Sequence, residues 1–186
     1  MSIWNSRARA TRLLPAVLLA SVGVVAGLWF GVARMGSGLV PDDALAALLT
    51  TQFNDLQGTP TRLQDFSGKT LVVNFWATWC APCKEEMPDL ARFQAENVTN
   101  NVQVVGIGID SIDNMQVFAK TNPVNYPLLS GTGATISLSR ALGNDSGALP
   151  YTLVINSAGK ATYVKLGRIS VQELESVVAA ANASTR

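Results

Sequence analysis

Residues Thr70 to Ala77, TLVVNFWA, form an unbroken apolar run rather than an alternating one. A strand that is apolar on both faces needs cover on both, so it belongs in the middle of a sheet with helices above and below. VQVVGIGID, Val102 to Asp110, is a second such run. Between them, Ala81 to about Asn97 carries Met87, Leu90, Ala91 and Phe93 at roughly helical spacing, with Pro88 expected to kink the helix. Strand, helix and strand make a βαβ unit. Further helices are expected in SIDNMQVFAKTN (Ser111 to Asn122) and in TISLSRALGN (Thr135 to Asn144), the latter ending near Gly143. YTLVIN and ATYVKLG read as strands joined by a hairpin at Ser157 to Lys160, and SVQELESVVAAA as a helix capped by Ser170, with Glu173 three residues on. The expected product is a mixed α/β sheet closed by a C-terminal helix.

Upstream lies Leu13 to Ala33, LLPAVLLASVGVVAGLWFGVA, twenty-one residues without a charge. At about 1.5 Å per residue, a helix of that length covers a hydrocarbon core of roughly 30 Å. Pro15 falls in the first turn, where it is tolerated. Arg7, Arg9 and Arg12 precede the run and only Arg34 follows before Asp42 and Asp43, so residues 1–12 are expected in the cytoplasm and the remainder outside it. Trp29 and Phe30 suit an interfacial belt or ordinary lipid-facing bulk. Gly31-Val32-Ala33 also has the small-x-small pattern of a signal-peptidase site, although the run exceeds the usual ~7–15 apolar residues of a signal segment. Anchored or cleaved, the folded part is exported to where disulfides persist. Residues 34–52 read as a linker, RMGSGLVPDD, and a short helix from Pro41 that could serve as a juxtamembrane spacer; residues 53–186 form the expected single domain.

Composition removes several classes of function. The chain of 186 residues has no histidine, which excludes imidazole general-base catalysis and histidine metal ligands. Fourteen basic and thirteen acidic side chains leave a net charge of +1 with no basic run beyond the N-terminus, so no nucleic acid partner is expected. No haem, flavin or metal site is evident, and no cofactor is expected.

The two cysteines, Cys80 and Cys83, lie in NFWATWCAPCKEEMP. Cys80 falls where the first buried strand ends and Cys83 in the first turn of the helix behind it. Unpaired N–H groups and the positive dipole end there favour a thiolate. Lowering a cysteine pKa from about 8.5 to about 7 raises the thiolate fraction at pH 7 from a few per cent to about half. Cys80 is thus the candidate nucleophile and Cys83 the resolving thiol, with Pro82 suited to the helix start. A structural staple across so short a loop would contribute only roughly 2 kcal/mol. Zinc would need ligands from a second chain, and a copper carrier of the exported kind would add a histidine. A thiol peroxidase would carry a threonine three residues before its cysteine, where Ala77 stands. Dithiol–disulfide exchange fits best.

VNFWATWCAPCKEEMP, LQGTPTRLQDFSGKTLVV, VVGIGIDS and ALPYTLVIN together resemble the membrane-anchored thioredoxin-like proteins of the TlpA/ResA/CcmG type, from about Phe53 to Ala183. The resemblance implies a thioredoxin fold with an added N-terminal β-hairpin, supplied by Phe53 to Phe66, and a central insertion drawn largely from Val102 to Leu129. It implies that Pro150 is a cis-proline beside the cysteines and that Leu149 before it pairs with a substrate strand. Trp79, Ala81 and Pro82 would complete the docking surface, though a packing role for Trp79 is an equal alternative. Trp76 reads as core. Glu86 matches an acid that assists the buried thiol's proton transfer, and helical spacing puts it on the side of Cys83; alternatively Glu85 and Glu86 both complement the helix dipole. Asn74 stands where thioredoxin keeps a buried aspartate, so Glu86 is the available base.

Without a histidine between the cysteines, the pair is expected to be relatively reducing. A reductase in the periplasm, anchored at the inner membrane through residues 13–33, would draw electrons from an integral-membrane thiol-electron transporter. Its substrates would be exported cysteine proteins such as apocytochrome c or copper-site assembly factors. Two alternatives stand beside this: an oxidase or isomerase, and a non-catalytic module that binds unfolded clients.

Overall fold

The computed structural model describes residues 39–185. The expected cytoplasmic segment 1–12 and anchor 13–33 lie outside the described residues. Among the described residues no helix is long and apolar enough to cross a membrane. In chain order the elements are α1 (Asp42–Thr50), β1 (Phe53–Asp55), β2 (Pro60–Thr61), a 3-10 turn at Leu63–Phe66 and β3 (Thr70–Trp76). Then come α2 (Ala81–Asn97), β4 (Val102–Gly108), α3 (Ile112–Thr121), β5 (Leu128–Ser130), α4 (Gly133–Ala141), β6 (Tyr151–Ile155), β7 (Ala161–Leu166) and α5 (Val171–Ala183).

Every residue of β3 is buried, as a strand covered on both faces requires. It pairs in parallel with β4, joined to it through α2, and antiparallel with β6. The seven strands run in the order β2-β1-β5-β4-β3-β6-β7, a mixed sheet with β3 and β4 near its centre. Alternation along β3 sends Val72 and Trp76 to one face and Leu71, Val73 and Phe75 to the other. The first face is closed by Met87, Leu90 and Phe93 of α2, Met115 of α3 and Leu174 and Val178 of α5. The second is closed by Ala44, Leu45 and Leu48 of α1 and by Leu63 and Leu142. The result is a thioredoxin-like α/β fold.

Two expectations change. The helix proposed as a juxtamembrane spacer is part of the domain, because Leu48 is fully buried against the sheet and its burial alone contributes about 1.5–3 kcal/mol. The folded unit therefore begins by Val40, not at Phe53. The inserted part is also shorter than Val102 to Leu129. β4 belongs to the central βαβ unit, so the addition is α3 and β5, which bridge β4 to the N-terminal hairpin of β1 and β2. Pro88 lies inside α2, a helix of 17 residues.

Two strand ends, side by side at one end of the sheet, position the functional residues. Trp76, the last residue of β3, lays its indole against Gly106 on β4, where a Cβ would stand 3.2 Å from Nε1. Gly106 thus makes room for the ring that floors the next loop. On the other side of β3, β6 begins at Tyr151, opposite Phe75, immediately after the Leu149–Pro150 peptide bond, which is cis.

Candidate active site

The chain leaves β3 through Ala77, Thr78 and Trp79 and enters α2 at Cys80. Cys80 is the N-cap residue, in an extended conformation, and its Sγ accepts the Cys83 backbone N–H at 3.3 Å. Pro82 occupies the first turn, where its missing N–H costs nothing. The cysteines form a disulfide with Cα atoms 5.3 Å apart. Their surroundings differ. Cys83 is wholly buried, Cys80 is 5% exposed, and Ala81 and Pro82 between them are open to solvent. Trp79 is 68% exposed, far more than a packing residue would be. Leu149, half-buried, packs against the cluster that contains both cysteines. Strand-to-helix geometry has therefore brought Trp79, Cys80, Ala81, Pro82, Leu149 and Pro150 to one end of the sheet.

Glu86, one turn beyond Cys83 on α2, is completely buried. Its Oε1 accepts the Asn74 side-chain amide at 2.7 Å, and Oε2 accepts the Ile169 backbone N–H at 3.1 Å. The same Asn74 nitrogen donates to Thr152 Oγ1 at 3.1 Å. Burial pushes the Glu86 carboxyl up to about 6, against the lowering pull of these two donors and of the Arg168 charge. A carboxyl with that environment can exchange a proton near neutrality. Glu85 beside it is exposed and pairs with Arg168 at 2.7 Å. Asn74 cannot take a proton, but it fixes one oxygen of the group that can.

Asp110 holds the loop before Cys80. Its Oδ2 accepts the Thr78 hydroxyl and, at 3.3 Å, the Thr78 backbone N–H. Its Oδ1 accepts the Ser111 N–H at 2.7 Å and the Asn114 amide at 2.9 Å. Partial burial works against the charged form, but these donors outweigh it and keep the Asp110 carboxyl below the usual aspartate range. Asp110 was legible only as the end of an apolar strand; its partner Thr78 lies 32 residues away. Among the described residues no cluster of three or more His, Cys, Asp or Glu side chains is placed to hold a metal ion.

The chain is similar to known proteins. A family model described as Redoxin matches residues 40–180. The thioredoxin-like protein YneN of Bacillus subtilis is 29% identical over 127 residues, covering 64% of this chain and 69% of that protein. The thiol-disulfide oxidoreductase ResA of Bacillus subtilis is 32% identical over 117 residues, 62% of this chain and 63% of the relative. Among solved structures, a thioredoxin-related protein from Neisseria meningitidis serogroup B superposes with a TM-score of 0.64 at 33% identity, over 70% of this chain and 98% of that one. The dsbF protein of MTB superposes with a TM-score of 0.63 at 28% identity, over 77% and 99% respectively.

Proposed function

The chain belongs to the Redoxin family as a thiol–disulfide oxidoreductase, and from that premise we propose that it is an exported, membrane-anchored reductase of protein disulfides. The observation that carries the direction of attack is the asymmetry of the pair: Cys80 keeps 5% of its surface exposed beside an exposed tryptophan, and Cys83 keeps none. In the reduced protein the Cys80 thiolate, favoured by the N-terminus of α2, attacks a substrate disulfide. A mixed disulfide forms and one substrate thiolate leaves. Cys83 then gives its proton to the Glu86 carboxylate and attacks Cys80 Sγ, releasing the second substrate thiolate and closing the Cys80–Cys83 disulfide. Two electrons pass to the substrate.

Leu149, held in place by the cis-proline Pro150, would offer its backbone to an extended substrate segment, with Trp79, Ala81 and Pro82 as the apolar part of the contact. Exported proteins with paired cysteines, such as apocytochrome c or copper-site assembly factors, are the substrate class. Residues 13–33 would hold the enzyme at the cytoplasmic membrane with its catalytic domain in the periplasm, and an integral-membrane dithiol carrier would return it to the reduced state. Ala81-Pro82 between the cysteines, with no histidine to stabilise a thiolate, supports the reducing direction.

The reduction potential of the protein, titrated against glutathione, tests this. A value near or below about −230 mV, in the thioredoxin and glutaredoxin range, is expected; a value near about −120 mV would make the protein an oxidant.

A further inference from the structure

After β7 the chain makes a bend of three residues, Gly167-Arg168-Ile169, and each of them contacts a different part of the site. The Gly167 N–H donates to the Pro150 carbonyl at 2.8 Å. The Arg168 guanidinium pairs with Glu85 at 2.7 Å, on the first turns of α2. The Ile169 N–H donates to Glu86 Oε2 at 3.1 Å. Gly167 has φ +87°, the left-handed conformation that turns the next two residues back toward α2, and glycine adopts it without a steric cost. Ile169 is buried, whereas the Arg168–Glu85 pair lies in solvent.

We propose that Arg168 is a positioning residue for Glu86: by pairing with Glu85 it straps the bend to α2 and keeps the Ile169 N–H on the buried carboxylate. The same bend is tied to the cis-proline wall through Gly167, so the docking surface and the acid share one short piece of backbone. Ser170 caps α5 just beyond, with its hydroxyl on the Glu173 N–H, which leaves the bend fixed at its far end as well. The near end is fixed by the pairing of Leu166 with Tyr151, the Gly167 bond and the ion pair, and Ile169 by its buried side chain.

The inference rests on the reading of Glu86 as the group that takes the Cys83 proton, but it can be tested apart from it. The charged or titratable groups around Glu86 are Arg168 from the bend, Glu85 and Asp89 from its own helix and the Tyr126 phenol from the segment before β5. Glu85→Gln separates position from charge. Removing an anion near Glu86 lowers its titration midpoint by Coulomb's law alone, whereas releasing the strap weakens a hydrogen bond to the carboxylate and raises it.

The measurement is the Glu86 side-chain carboxyl ¹³C shift followed against pH in the oxidised full-length protein. The expected result is a rise in midpoint of about half a pH unit in Glu85→Gln, within what an exposed ion pair can supply. In Arg168→Lys, which can still reach Glu85, the midpoint stays at the wild-type value. An unchanged or lowered midpoint in Glu85→Gln overturns the proposal, as does an equal rise in Arg168→Lys. A Glu86→Gln variant that exchanges disulfides with the wild-type pH profile would instead sink the proton-acceptor reading, and the midpoints would still decide the strap.

Discussion

Glu86→Gln should change how the stability of the oxidised protein depends on pH. Burial raises this carboxyl from the ordinary 4.5 to about 6 in the folded state. Below pH 4.5 the group is protonated in both folded and unfolded chains and contributes nothing. Between 4.5 and 6 the unfolded chain ionises and the folded one resists, so stability falls as pH rises. Above the folded value the loss is complete, at about 2 kcal/mol. Glutamine does not titrate. Its amide can reproduce one acceptor but turns an N–H toward Asn74 or Ile169, a fixed penalty of about 1–3 kcal/mol at every pH. The informative quantity is therefore the slope. Urea unfolding of both proteins at intervals from pH 4 to 7.5 should show wild type losing about 2 kcal/mol relative to the variant, with the other carboxylates cancelling in the difference. A difference flat to within about 0.5 kcal/mol, or one in which wild type gains as pH rises, would refute the burial argument.

Cys83→Ser should trap a mixed disulfide between Cys80 and a protein substrate, visible on non-reducing gels, whereas Cys80→Ser should trap none; the opposite pattern would reverse the assigned roles. Thr78→Val and Asp110→Asn should each destabilise the protein by about 1–2 kcal/mol, and the double variant by no more than the larger single effect. Additive losses in chemical unfolding would show that the Thr78–Asp110 contact is not what holds the loop.

Much of the sheet was legible because its cause is local. The run from Thr70 to Trp76 has no polar face, so its central position could be read directly, and Ser170 and Cys80 mark the starts of α5 and α2 by their own chemistry. The α1 segment was harder: a short apolar stripe after Pro41 looks the same whether it faces a membrane surface or a sheet, and its cover, Leu63, Phe75 and Leu142, lies elsewhere in the chain. β5, with three residues, carries too little pattern to be seen. Helical spacing placed Glu86 beside Cys83 but left its burial open, because its partners come from Asn74 on β3 and from Ile169, 83 residues on. The bend at Gly167 to Ile169 had no signature beyond a glycine after a strand.

The two tryptophans that bracket the loop differ as optical reporters. Trp76 has no exposed surface and lies in the same apolar cluster as Cys80 and Cys83, its indole N–H without a partner among the described residues, 5.2 Å from the Phe118 ring between centroids. Trp79 projects into water. Disulfides quench nearby indoles by accepting an electron from the excited state. Emission from Trp76, blue-shifted by its dry surroundings, should thus brighten when the bond opens, while red-shifted Trp79 emission should respond first to a docked partner. The chain carries separate built-in signals for its redox state and for its occupancy.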